Sequence, residues 1–429
     1  MSGPTGLDGR GNGGRRRVAI TGIGVVCPAG NHPGSFWPGL LSGEGFTRLI
    51  DRFDASEFPC RVAGQVAFDP SELLPDPRQM LVLDRTSQLS IAAARLACRD
   101  AALDDGALAD AAVVVGSGFG CIETVEAAII RHHEKRPTSA RAWVIPRAMA
   151  NAPAAAVSMA LRAHGPHHVV AAACASGTIA IGTAARMVAA GDTDISVAGG
   201  ADAPLVPSVM AAWCAMRVLT ERNDEPSSAS RPFSVDRDGM VLAEGAAMVV
   251  LEEVAHALRR GAPIYAEIAG FGESSDACHL TAPSAAGQVR AIRRALASAG
   301  LEASAVDHVN AHGTATPAND RVETQALKEA LGQHVRSVPI SATKSMIGHA
   351  MGAAGAIEVA ATACAVRHQT VHPTAHITGG DVDCDLDYVA EGKRTLPIQV
   401  AMKQSFAFGG ANAVLILRRL DDAGAIERS

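Results

Sequence analysis

The sequence predicts an α/β protein of two duplicated halves. Three observations carry that expectation: short apolar runs end in glycine turns, alanine-rich helical stretches follow them, and the same order of segments occurs twice. The chain has 429 residues, enough for two ordinary domains or one large fused core, and 48% hydrophobic against 19% charged residues supports a sizeable interior. Aromatic residues make up only 3% while Ala and Gly abound, so packing must rest on close approach of helices and strands.

The elements follow in order. VAITGIG (Val18 to Gly24) reads as a first core strand and is echoed by AEIAGFG (Ala266 to Gly272) at an isoleucine and two glycines. DAAVVVGSG (Asp110 to Gly118) is echoed by DHVNAHGTA (Asp307 to Ala315), each a strand closing in a glycine turn. HHVVAAACASG with its helix corresponds to SVPISATKSMIGHAMGAAGAIEVAATACAV: a strand, a loop with reactive side chains, then an alanine-rich helix. EGAAMVVLEE (Glu244 to Glu253) resembles GGANAVLILRR (Gly409 to Arg419), the closing strand of each half. These echoes divide the chain into a disordered tail at 1–17, a first half at 18–260 and a second at 261–429. Corresponding strand ends then converge about a pseudo-twofold, and ligand sites favour the carboxyl ends of strands, so Cys174, His312 and His349 should share one pocket.

Charge and cysteine usage exclude several classes. A net charge of −6 argues against a nucleic-acid binder. No uninterrupted apolar stretch reaches the ~20 residues of a membrane span, and MSGPTGLDGRGNGGRRR has no apolar core of a signal peptide, so a cytoplasmic protein is expected. Nine cysteines without a CxxC pair fit a reducing compartment and neither a disulfide framework nor a zinc site.

Cys174, in AAACASGTIA, falls at a strand-to-helix turn among small residues. It reads either as a small buried hydrophobe or as a nucleophile whose thiolate is favoured by the helix N-terminus. His312 in NAHGTATPAND and His349 in SATKSMIGHAMGAAGAIE each read singly as core or cap histidines, and Lys344 as a loop lysine able to pair with Glu358. Taken with Cys174 they suit carbon–carbon bond formation from thioesters: the thiol takes an acyl group, and imidazole N–H donors stabilise an enolate formed by loss of CO2. A hydrolase needs one histidine with an orienting Asp or Asn. SFAFGGANA reads as a plain hairpin or as a hinged flap whose Phe408 N–H joins that of Cys174 in an oxyanion hole.

Cys174 in ACASG, His312 in NAHGTAT, Lys344 and His349 in KSMIGHAMGAAG, and FGGANA together resemble the β-ketoacyl-[acyl-carrier-protein] synthases of the thiolase superfamily, over about Val18 to Arg419. RNDEPSSASRPFSVDRDGMVLAEGAA (Arg222 to Ala247) is similar to a segment shared by synthase II enzymes and type II polyketide ketosynthases. The resemblance implies a thiolase-like αβαβα five-layered sandwich of two duplicated halves, dimeric through the first. It implies Cys174 as acylated nucleophile, His312 and His349 as the decarboxylation pair, Lys344 with Glu358 as an ordering ion pair, and Asp320 as a further supporting carboxylate. Phe408 is then a gate, Thr314 and Thr316 meet the phosphopantetheine arm, Thr281 lies near the tunnel mouth, Val125 limits the acyl pocket, and Arg217 meets the carrier protein or is an ordinary surface arginine.

The sequence departs from the family at Ala407, where the gate has glycine and a Cβ would stiffen the hinge, and at Cys278, where a tyrosine is usual and a wider mouth follows. The reading is a decarboxylative condensing ketosynthase without metal or redox cofactor, its substrates carried on phosphopantetheine of acyl carrier protein. It leans to a type II polyketide subunit paired with a chain-length-factor homologue. The alternatives are a housekeeping fatty-acid synthase II homodimer and a non-catalytic interaction subunit of the same fold. A thiolase would want a second cysteine near the C-terminus, and Met402 to Arg419 has none.

Overall fold

A computed structural model describes residues 16–31, 33–67, 82–104, 106–135 and 142–420. Residues 1–15 of the expected tail lie outside that set. Arg16 and Arg17, the last two residues of the expected tail, are both anchored: Arg16 pairs with Asp194 at 2.5 Å, and Arg17 grips Glu267 through two hydrogen bonds of 2.9 and 2.7 Å.

Ten strands form one sheet. In the first half they are β1 (Val18–Val26), β2 (Ala112–Gly116), β3 (His167–Val170), β4 (Ile195–Asp202) and β5 (Gly245–Glu253). In the second they are β6 (Ala266–Ser275), β7 (His308–Asn310), β8 (Ile340–Ser341), β9 (Val400–Phe406) and β10 (Ala411–Arg418). The spatial order is β8-β7-β9-β10-β6-β1-β5-β4-β2-β3. Outward from the centre the first half runs 1-5-4-2-3 and the second 6-10-9-7-8, the same order shifted by five. The halves join where β1 meets β6 antiparallel, Ala19 opposite Glu267 and Ile20 opposite Ala266.

Helices fill three layers. α1 (Arg85–Asp100) covers the outer face of the first half-sheet, and α3 (Ala285–Ala299) with α4 (Pro317–Leu331) covers that of the second. Between the half-sheets lie α2 (Ser176–Ala190) and α5 (Ala354–His368), packed on each other and on strands of both halves. The result is the αβαβα sandwich. Its middle layer is so enclosed that α5 is buried at every residue from Ala354 to Val366, which is why that helix shows no amphipathic stripe.

The echoed glycines have one physical role in both halves. A Cβ on Gly22 or Gly24 would stand 2.2 and 1.9 Å from the carbonyls of Ala97 and Ala93 on α1; one on Gly270 or Gly272 would stand 2.4 and 2.3 Å from those of Ala295 and Ala291 on α3. Alanine on the helix and glycine on the strand thus let each outer helix sit directly on its strand. The stretch Ala173–Ala190 is apolar and long enough to cross a membrane by composition, but it is the core segment carrying α2, with 61% of it buried.

Candidate active site

Cys174 lies in a 3-10 turn, Ala173–Ala175, that joins β3 to α2. The turn is held by the Ser176 hydroxyl, which donates to the Ala173 carbonyl at 2.6 Å and accepts from the Ala172 N–H at 2.8 Å. Its counterpart in the second half is the 3-10 turn Met351–Ala353, which stands at the same spacing before α5 and packs against the cysteine turn. Ala173, Met351 and Ala315 all have φ between +47° and +65°, conformations that L side chains adopt at a cost. All three strained positions flank the loops that carry Cys174, His349 and His312.

Cys174 is buried in an apolar cluster with Leu205, Val206, Val209, Met210 and Met351, against which half-buried Phe408 packs. Burial pushes its pKa up to about 12, against the pull of Lys344 and with a further push from Asp202. Desolvation thus opposes the helix N-terminus, which favours the thiolate.

His312 follows β7 and His349 follows the short helix Lys344–Ile347; their rings meet edge to face at 5.5 Å. Lys344 Nζ donates to His312 Nδ1 at 3.2 Å and to the His312 carbonyl at 2.6 Å, and it forms a buried ion pair with Glu358 on α5. An ammonium group has no lone pair to offer, so His312 Nδ1 is an acceptor and the ring proton sits on Nε2. The Met351 N–H likewise donates to His349 Nδ1 at 3.2 Å, leaving an Nε2–H that is buried without a partner. Burial holds both imidazoles well below the usual histidine range, and the Lys344 and Lys403 ammonium groups add to the effect. The site thus offers two neutral imidazoles, each with its Nε2–H available.

Phe408 opens the loop between β9 and β10, which is a hairpin with Phe406 opposite Asn412. The Phe408 ring rests on Trp213 at 5.8 Å. Gly409 and Gly410 carry the positive φ of the loop, +80° and +76°, whereas Ala407 is extended at φ −127°, ψ 154°, a conformation in which its Cβ costs nothing. The Gly409 N–H donates to the Leu280 carbonyl at 2.7 Å, which ties the loop to the segment carrying exposed Cys278 and half-buried Thr281. A cleft of about 380 Å³ opens beside this loop, lined by Ile179, Arg294, Gly409 and Asn412.

The Thr314 and Thr316 hydroxyls pair at 2.8 Å, and Thr316 caps α4. Asp320 is fully buried and touches no imidazole; it accepts from the Thr314 N–H at 3.1 Å and the Phe233 N–H at 2.8 Å, so it fixes the threonine loop. Val125 is half-buried on the helix Ile122–Lys135. Arg217 stands exposed just past the helix Pro207–Ala215. Among the described residues no three His, Cys, Asp or Glu side chains are placed to hold a metal ion.

Three buried charges escaped sequence reasoning. Glu323 accepts the His312 and Gly313 N–H groups at 2.6 and 2.8 Å, and burial raises it to about 7. It follows Asp320 by one helical turn, a spacing that marks both as facing the same loop. Asp202, at the end of β4, accepts from the Ser117 hydroxyl and from the Gly118, Phe119 and Gly352 N–H groups, tying the two halves together beside Cys174; burial raises it to about 6. Lys403 lies fully buried in β9 with its Nζ 2.8 Å from Glu358 Oε2. Its one sequence signal is a lysine inside the apolar run VAMKQSF.

Comparison with known proteins agrees with this geometry. The family descriptions "Beta-ketoacyl synthase, N-terminal domain" and "Beta-ketoacyl synthase, C-terminal domain" match residues 15–257 and 265–378. The chain is 41% identical to 3-oxoacyl-[acyl-carrier-protein] synthase 2 of Coxiella burnetii over 95% of its length and 100% of the relative's. It is also 41% identical to the actinorhodin polyketide putative beta-ketoacyl synthase 1 of Streptomyces coelicolor, over 96% and 90%. Among solved structures, the ishigamide ketosynthase/chain length factor superposes with a TM-score of 0.89 at 35% identity, covering 95% of this chain and 100% of that one. A type II polyketide ketosynthase in complex with its acyl-carrier protein and bound to the hexaketide gives 0.87 at 31%, with the same coverage.

Proposed function

Because the chain belongs to the β-ketoacyl synthase family, we propose that it condenses an acyl group on Cys174 with a malonyl unit delivered by acyl carrier protein, as the ketosynthase subunit of a type II polyketide synthase paired with a chain-length-factor homologue. It is an acyl-transferring condensing enzyme of the 3-oxoacyl-[acyl-carrier-protein] synthase class. The observation that carries the mechanism is the pairing of a buried thiol with two neutral imidazoles whose Nδ1 atoms are already occupied.

In the first half-reaction the Cys174 sulfur attacks the acyl thioester carbonyl, and the displaced pantetheine sulfur leaves with the proton that the thiol gives up. In the second, the malonyl C–CO2 bond breaks and its electron pair forms an enolate whose oxygen is stabilised by the Nε2–H groups of His312 and His349. Neutral donors suit this step because they stabilise charge that develops in the transition state without first trapping the carboxylate. The enolate carbon then attacks the Cys174 thioester, the C–S bond breaks, and the sulfur recovers a proton. Lys344, held by Glu358, keeps the His312 tautomer; Phe408 separates the two half-reactions; Thr314, Thr316 and Thr281 line the approach of the phosphopantetheine arm; Val125 limits acyl depth; and Arg217 meets the acidic carrier. Phosphopantetheine on the carrier is the only prosthetic group the scheme requires, and the setting is the cytoplasm.

Relatives of the fatty-acid and polyketide kinds match equally at 41%. The polyketide reading therefore rests on two departures from the usual pattern: Cys278, exposed where a tyrosine is usual and so leaving a wider mouth, and Ala407 in place of the gate glycine. The test is intact-mass analysis after incubation with a series of acyl carrier thioesters, alone and with any homologous chain that co-purifies. The expected result is an acyl adduct on the wild type that Cys174→Ala abolishes, with the accepted chain lengths separating the two pathways. No adduct under any pairing returns the chain to the scaffold reading.

A further inference from the structure

Building on the condensing reading above, we infer that Lys403 is a positioning residue for this reaction: it takes the second oxygen of Glu358, so that two ammonium groups share one carboxylate beside the imidazole pair and offset the Asp202 and Glu323 carboxylates buried around the pocket. Lys344 meets Glu358 Oε1 and Lys403 meets Oε2, and all three side chains are buried. Without Lys403 the charges of Lys344 and Glu358 cancel. With it, the Lys344–Glu358–Lys403 group carries one unit of positive charge, set against the buried Asp202 and Glu323 carboxylates in a site from which water is excluded.

A second set of contacts couples Lys403 to the nucleophile. Its Nζ donates to Ser405 Oγ at 3.0 Å, and Ser405 Oγ lies 2.8 Å from Thr178 Oγ1 in the first turn of α2, the helix that begins just after Cys174. The same lysine also precedes the gate loop by three residues in β9. Lys403 therefore sits where the imidazole pair, the nucleophile helix and the gate meet, and touches no reacting atom itself.

The charged and titratable groups facing it are Glu358 on α5, Lys344 on its short helix, Glu323 on α4, and beyond them His312 and His349. From the neighbouring strands Asn310 and Leu415 face it in register, both uncharged. The departing thiolate of Cys174 and the enolate oxygen both carry charge that develops during the reaction, so each is favoured by the charge of Lys403.

Burial lowers the Lys403 pKa to about 8, the Glu358 carboxylate opposing this and Lys344 adding to it. The Lys403 charge is thus present at neutral pH and lost as pH rises through about 8. The test follows CO2 release from the malonyl thioester of holo acyl carrier protein by the full chain, with any homologue that co-purifies, from about pH 6 to about pH 9. Wild type should lose rate through about pH 8. Lys403→Met should lower kcat about tenfold to a hundredfold, with KM for the carrier unchanged and no further fall through pH 8. Lys403→Arg, charged throughout, should keep the neutral-pH rate and abolish the alkaline fall.

If both variants keep the wild-type rate and pH profile, or lose only thermal stability, Lys403 is structural and the inference is wrong while the condensing reading stands. Should Lys403→Met fail to fold, Lys403→Arg decides, because an unchanged alkaline fall in that variant sinks the inference. A wild type that releases no CO2 overturns the condensing reading and this inference with it.

Discussion

At His349 the proton location is set by one backbone contact, the Met351 N–H donated to Nδ1, and from it follows a free Nε2–H aimed into the pocket. His349→Ala should cut malonyl decarboxylation about a hundredfold to a thousandfold, the loss typical of one oxyanion donor, while Cys174 still gains the acyl mass. Because both imidazoles are held well below the usual range, they are already neutral at pH 6.5, and decarboxylation should show no acid limb of histidine origin there; a rate that halves near that value would contradict the assignment. Asp202→Asn tests the cradle beside the nucleophile. An amide has one accepting oxygen for a hydroxyl and three N–H donors, so about two donors lose their partner and roughly 2–4 kcal/mol of stability should go, read from denaturant unfolding. Cys174, His312, Lys344 and His349 were legible in the sequence because each stands out in a loop of small residues. Glu323, Asp202 and Lys403 were not, since the meaning of a buried charge lies in a partner that only the fold supplies, as Glu358 does for Lys403.

At the scale of elements, the middle layer depends on the close crossing of α2 and α5. Gly177 and Gly355 hold equivalent places one residue into these helices, and each would carry its Cβ into the other helix: from Gly177 to 2.9 Å from the Ala356 N, from Gly355 to 2.2 Å from Thr178 Oγ1 and 2.9 Å from the Thr178 N. Gly355→Ala should therefore push the helices apart, costing about 1–3 kcal/mol by thermal or denaturant unfolding and slowing acylation of Cys174, whose turn rides on α2. A variant with wild-type stability and acylation would mean that the crossing has slack. The duplicated order of elements was legible because the echoed glycines serve the same helix contacts twice, at Gly22 and Gly24 and again at Gly270 and Gly272. The merging of the halves through β1 and β6 was not, because it rests on two residue pairs at the strand ends that leave no periodic signal. The stiffening expected from Ala407 also depended on conformation: in extended backbone the Cβ is free, and the loop's left-handed turns fall on Gly409 and Gly410.

For the whole molecule, the two ends of the sheet break the internal symmetry. The outer strand of the second half, β8, is covered by its own chain, with the Ile340 N–H donating to the Asp387 carbonyl. The outer strand of the first half, β3, pairs only with β2 among the described residues and exposes His167 and His168. Around it stand uncovered apolar side chains from three successive helices: Ile129 and Ile130 on Ile122–Lys135, Ile145 on Val144–Ala148 at 69% exposure, and Met159 on Ala152–Leu161 at 72%. An open strand edge with an apolar surround has the character of a docking face, and the pairing with a homologous chain proposed above would use it. Val125, proposed above to limit acyl depth, lies one turn before Ile129 on the same helix, which links the proposed pocket to that surface. The double substitution Ile145→Asp and Met159→Asp should therefore convert a dimer to a monomer by light scattering and, with the partner's wall gone, flatten the dependence of Cys174 acylation on acyl length. A variant that stays dimeric with unchanged length selectivity would move both the interface and the pocket floor elsewhere on the molecule.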